Sequence, residues 1–248
     1  VHEVSSNNAV GSRSNVYIGA YGAGDKPILK WTWSNEDGVA IFTANTASEN
    51  VFIENIYFDT IYSVLESKID ALEVNGKSTT LANSEFYNFS TVGDMGGSPE
   101  GAFIFNDKGW RTRKFDFFST GAKNIVIIGA DFKASLNESV IRLLPDSDGN
   151  SNSLVNIEWT HFDQEGKIKS AFRYQAVQYG HMYQSMMSGG ADKISQDDGD
   201  TDYIVLDGVL RDTEFELNIG RNANNVMIRN SDFDFSGVGQ VISGGSGA

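Results

Sequence analysis

Cysteine is absent from the 248-residue chain, which excludes disulfides and thiolate metal sites. Proline occurs only three times, so proline-rich linkers are excluded as well. No stretch is long and apolar enough to span a bilayer, and no signal-peptide pattern is present. Basic residues are few: 19 Lys and Arg stand against 33 Asp and Glu, a formal net charge of −14. A surface this negative repels phosphate backbones, so nucleic acid is not an expected partner. It favours solubility and attracts divalent cations. No glycine-rich phosphate loop, serine-nucleophile elbow or clustered zinc-ligand motif occurs. The glycines between Gly19 and Gly24 precede a strand pattern where a nucleotide loop would precede a helix. The chain opens at Val1-His2-Glu3-Val4, and is expected to be a mature or excised fragment of a longer chain with further domains.

What the chain does contain is a repeat. Hydrophobic residues make up 40% of it, enough for a core, and 26 glycines suit a β-protein that turns often. Six segments share an aliphatic residue, a turn-former two positions later, and Phe at the end. They are Ile53–Asn55–Phe58, Leu81–Asn83–Phe86, Ile127–Gly129–Phe132, Ile157–Trp159–Phe162, Leu210–Asp212–Phe215 and Ile228–Asn230–Phe233. Asn, Gly and Asp at the turn tolerate left-handed backbone, so a strand bends there and resumes. Two long gaps accept degenerate copies, Phe105–Asp107–Trp110 and Val177–Tyr179–Met182. Phe58 to Phe233 then divides into seven intervals averaging 25 residues, a natural solenoid period. A β-sandwich also has many short strands, but it does not require the same residue types to recur at one offset. The expectation is an all-β, single-stranded right-handed parallel β-helix of roughly eight to ten coils, filling residues 1–248 as one domain.

The run Asn15-Val16-Tyr17-Ile18-Gly19-Ala20-Tyr21-Gly22-Ala23-Gly24-Asp25-Lys26-Pro27-Ile28-Leu29 resembles the early coil of secreted bacterial β-helix proteins of the pectate-lyase-like superfamily. The Asn-Val-x-Ile-x-Asn-x-x-Phe copies at Asn50–Phe58 and Asn225–Phe233 resemble its generic repeat. The resemblance covers most of the chain and implies a bacterial protein, secreted or at the cell surface, acting on polysaccharide. Family members carry an amphipathic N-terminal capping helix that this chain lacks, and no lyase motif matches residue by residue.

Four groups of residues could carry chemistry. The offset before each repeat Phe should form an outward column, read as Tyr57, Glu85, Gly109, Asp131, His161, His181, Glu214 and Asp232. Histidines 161 and 181 between carboxylates could bind a metal or act as an acid/base pair, or belong to a solvated polar face. The basic cluster Lys108, Arg111, Arg113 and Lys114 could supply the base and neutraliser for elimination from an acidic sugar, a role the resemblance implies for Lys or Arg; it could equally be solvated charge on one loop. Two acidic turns, with Asp146, Asp148 and Asn150 in one and Asp198, Asp200 and Asp202 in the other, space oxygen ligands as calcium loops do, and are otherwise flexible polar turns. Trp31 and Trp33 alternate on a strand, and Tyr179 and Tyr183 bracket His181. Such rings stack on sugars, though the tryptophans could instead close the N-terminal end of the core. The residues and the resemblance together imply a polysaccharide-binding β-helix, with lyase-type β-elimination on an acidic glycan as its candidate activity; the alternative is a non-catalytic carbohydrate-binding, adhesive or structural module of a larger cell-surface or secreted protein.

Overall fold

A computed structural model describes residues 2–4, 8–11, 13–20, 22–37, 39–96, 99–110, 112–113, 115–133, 139–164, 171–190, 192–194, 200–213, 217–220, 222–234 and 242–244. They form an all-β parallel solenoid, and no helix occurs among them. Each coil contributes one strand to each of three walls. A typical coil runs from Glu49–Glu54 on wall C to Tyr57–Thr60 on wall A, then Asp70–Val74 on wall B, and returns to wall C at Lys77–Ala82. Among the described residues, walls A and B hold ten strands each and wall C nine, all in parallel register.

Alternation along each strand decides what lies inside. On wall C the inward pairs include Val51/Ile53, Ile125/Ile127, Val155/Ile157 and Ile204/Leu206, all buried. On wall A the inward column is the Phe ladder. Phe58 and Phe86 stack at 4.9 Å between ring centroids, and Phe132 and Phe162 at 5.9 Å. Gly109 stands in that column between Phe86 and Phe132, and Met187 follows Phe162.

Two ladders of left-handed residues shape the coil. One lies at the wall C to wall A corner: Asn55, Asn83, Asn106, Gly129, Trp159, Gln184, Gly208 and Asn230, with φ between 42° and 67°. The second lies at the start of every wall C strand: Asn15, Asn50, Ser78, Gly101, Asn124, Leu154, Tyr179, Tyr203 and Asn225. Asn side chains stack along these ladders, as where Asn50 Nδ2 donates to Asn15 Oδ1 at 3.0 Å. Just after the first corner, small inward residues serve the neighbouring coil: Ser185 Oγ accepts from Thr160 N at 3.2 Å and Ser231 Oγ from Val209 N at 3.1 Å. At one corner Asp107 takes that place, accepting from the Ser84 amide. Burial holds its carboxyl well above the ordinary range, and the Ser84 amide and the Lys26 charge offset this only in part.

The structure corrects three copies of the repeat. The aliphatic, turn and Phe positions of the first inserted copy are Ile104, Asn106 and Gly109, one residue earlier than expected. Those of the second are Met182, Gln184 and Met187. In the following coil they are Leu206, Gly208 and Arg211, and Phe215 lies outside the described residues. An arginine therefore occupies a rung of the Phe ladder. Arg211 is 1% exposed, and its Nε donates to Asp192 Oδ2 at 2.7 Å inside the core. The other Asp192 oxygen accepts from the amides of Ala171 and Phe172, at 2.9 and 3.0 Å. The pair fills the space a Phe would, with most of its polar atoms partnered.

Candidate functional site

The corrected register redistributes the expected column. The outward offset on wall A reads Tyr57, Glu85, Lys108, Asp131, His161, Met186, Leu210 and Asp232. His181 is not in it. It points outward from wall C, paired with Asn156 and Val205, so the two histidines stand on different walls. Its Nδ1 lies 3.2 Å from Asn156 Oδ1, and its ring lies 6.0 Å from that of Tyr183. Glu214 lies outside the described residues.

Of the basic cluster, Lys108 and Arg113 fall among the described residues. Lys108 is exposed on wall A, between Glu85 and Asp131 of the adjacent coils. Glu85 is already paired with Lys26 at 2.8 Å, and that hydrogen bond holds its carboxyl below the ordinary value. Arg113 donates to the Ser67 carbonyl at 3.0 Å and so ties down a loop of another coil. Arg111 and Lys114 lie outside the described residues.

The acidic turns are brought partly together. Asp146, Asn150 and Asp200 line one recess of about 510 Å³, together with Lys123, Ser151, Ser153 and Gln178. Asp146 is occupied by its own turn: Oδ1 accepts from the amides of Asp148 and Asn150, and Oδ2 from Asn150 Nδ2 at 2.9 Å. Asp202 Oδ1 accepts from Tyr203 N and Asn225 Nδ2, and Asp198 lies outside the described residues. No group of three or more His, Asp or Glu side chains able to hold a metal occurs among the described residues.

The aromatics sort by wall. Trp31 is 0% exposed, its Nε1 donating to the Ser34 carbonyl at 2.9 Å, so it is a core residue and cannot form a platform. Its strand ends at Trp31, which breaks the expected alternation; Trp33 beyond it is exposed, its ring 5.8 Å from that of Trp31. Tyr179 and Tyr183 do share the outer face of wall C, with His181 between them. Three neighbours missed by sequence reasoning join them: Leu154, Trp159 and Tyr203, at 54%, 55% and 52% exposure. The Tyr179 and Tyr203 rings stack at 5.3 Å and 7°. Trp159 packs edge-on to Tyr183 at 6.1 Å, and its Nε1 donates to Gln184 Oε1 at 2.8 Å.

These bulky residues sit in positions where other coils place Asn, Ser, Gln or Gly. Leu154, Tyr179, Tyr203 and Trp159 all have positive φ, between 46° and 61°. A left-handed conformation costs a side chain with a Cβ about 1–2 kcal/mol. The two edges lie five residues apart along the strand, roughly 16 Å. They frame a shallow face floored by Asn156, His181, Glu158, Tyr183 and Asp207. The recess with Asp146 and Asp200 adjoins the Tyr179 edge through Gln178. No protein-family model matches the chain, and no curated protein matches it in sequence.

Proposed function

We propose that this chain binds an extended polysaccharide across the outer face of wall C. One observation carries the reading: exposed rings occupy strained left-handed positions along one edge, where the repeat itself favours Asn or Gly. Strain held at exposed sites points to a use for the side chain beyond folding. Stacked tyrosines offer flat apolar faces to sugar rings, and the polar floor and neighbouring recess offer partners for hydroxyls. The likeness of the early coil to secreted bacterial β-helix proteins supports the same substrate class and a location outside the cell.

The test uses Tyr203→Asn. Asn suits the left-handed position, so thermal stability is expected to hold or rise. Retention on insoluble neutral glycan is expected to weaken by roughly tenfold, about 1.4 kcal/mol. Unchanged retention would remove Tyr203 from the binding face. A second reading, β-elimination on an acidic glycan, rests on Lys108, whose exposed ammonium stands on wall A. Growth of ultraviolet absorbance from an unsaturated product would favour it over binding alone.

A further inference from the structure

The corrected register brings Ser188, which sequence reasoning left out, to the Asp131 and His161 of the expected column. Asp131 pairs with His161, and Asp163, two residues beyond His161 on the same strand, pairs with Ser188. Asp131, His161 and Ser188 thus come from three successive coils on the outer face of wall A. The imidazole spans the other two: Nδ1 lies 3.3 Å from Asp131 Oδ1, and Nε2 lies 3.1 Å from Ser188 Oγ. Asp131 Oδ1 is buried and has no aligned hydrogen-bond donor, and the His161 imidazole stands against it as a 3.3 Å charge contact. The Asp131 and His161 side chains are each 33% exposed, open enough for a reagent to reach.

A carboxylate on one imidazole nitrogen and a hydroxyl on the other is the arrangement that activates serine. The carboxylate favours the tautomer with the proton on Nδ1, leaving the Nε2 lone pair toward the hydroxyl. Beside His161 in the same column stand Met186 and Leu210, which are exposed at 37% and 53%. Two apolar side chains next to a nucleophile suit an acyl group.

We propose that Asp131, His161 and Ser188 form a nucleophilic triad that hydrolyses carboxylic esters with short apolar acyl groups, such as acyl substituents on glycan hydroxyls. Ser188 Oγ attacks the ester carbonyl carbon as its proton passes to His161 Nε2. The tetrahedral adduct collapses, the bond to the alcohol oxygen breaks, and the imidazolium returns its proton to that oxygen. Water, deprotonated by His161, then attacks the acyl-serine, releases the carboxylic acid and restores the Ser188 hydroxyl. Asp131 is a positioning residue, holding the tautomer and stabilising the imidazolium.

The triad is on wall A and is independent of the glycan face on wall C, so the two are tested separately. The full chain is incubated with a fluorophosphonate probe and, in parallel, with p-nitrophenyl butyrate. Expected are a single adduct on the peptide containing Ser188, and ester turnover that falls roughly 100-fold or more in Ser188→Ala and His161→Ala. Asp131→Asn should lower kcat with KM little changed, and Asp131→Glu should restore part of it. No adduct at Ser188 on the folded protein, or Ser188→Ala hydrolysing the ester at the wild-type rate, would overturn the proposal.

Discussion

Replacing Arg211 with alanine is expected to cost about 3–5 kcal/mol at neutral pH, because it strands a buried carboxylate. For a chain of this length that corresponds to a fall in Tm of roughly 6–20 °C. Burial raises the Asp192 carboxyl above its ordinary value even in the native protein, against the lowering by the Arg211 charge and the Phe172 and Ala171 amides. A carboxyl raised on folding keeps its proton in the folded state where the unfolded chain has lost it. Its cost is therefore absent below the unfolded value and grows as pH rises through the folded one. Without Arg211 the folded value rises further, so the Arg211→Ala deficit should be small in acid and largest at neutral pH and above. Adding Asp192→Asn to Arg211→Met keeps an acceptor for the two amides and removes both charges. That double variant should recover most of the loss in urea unfolding. A deficit independent of pH would show that Asp192 is not the group left unpaired.

Phe162→Ala should cost a similar amount, about 3–5 kcal/mol. The ring is fully buried and stacks on Phe132, one coil away, beneath the face that carries Asp131 and His161. In a solenoid each coil contacts only its neighbours, so a cavity in one rung weakens the two interfaces on either side. Phe162→Leu, which leaves much less empty volume, should cost under about 2 kcal/mol. Equilibrium unfolding in guanidinium chloride measures both. Equal, small losses would mean that this strand faces outward at residue 162, against the observed alternation.

The fold was legible because Asn and Phe recur for a physical reason: the coil needs a left-handed corner and a large inward ring. Where those residues stand, as at Asn83 and Phe86 or Asn230 and Phe233, the expected register matches the structure. It slipped where the ladder uses other means. Gly109 leaves a rung without a side chain, Met187 fills one with a flexible chain, and Arg211 fills one with a buried ion pair. Nothing in a template built on Phe selects an arginine, while Phe215 four residues later satisfies it. The site suffered for the same reason. His161 belongs to a well-formed copy and was placed correctly, but the next coil was set by Val177 and Met182, which moved His181 into its column and hid Ser188. The strained tyrosines were equally hidden, since a Tyr at an Asn position is visible only after the second left-handed ladder is known. Just after the first acidic turn, Asn152 is a buried corner residue whose side-chain amide donates to the carbonyls of Leu144 and Ala176.

Register is the claim on which the triad, the buried arginine and the glycan face all depend, and the absence of cysteine makes it directly measurable. In the structure His161 is paired with Met186 on wall A, and His181 lies on wall C. Two double variants, His161→Cys with Met186→Cys and His161→Cys with His181→Cys, are treated with dibromobimane, which fluoresces only when it bridges two neighbouring thiols. Strands of adjacent coils lie about 4.8 Å apart, so the first pair should cross-link in the native protein and the second should not. Fluorescence from the 161/181 pair, with none from the 161/186 pair, would contradict the register and every site built on it.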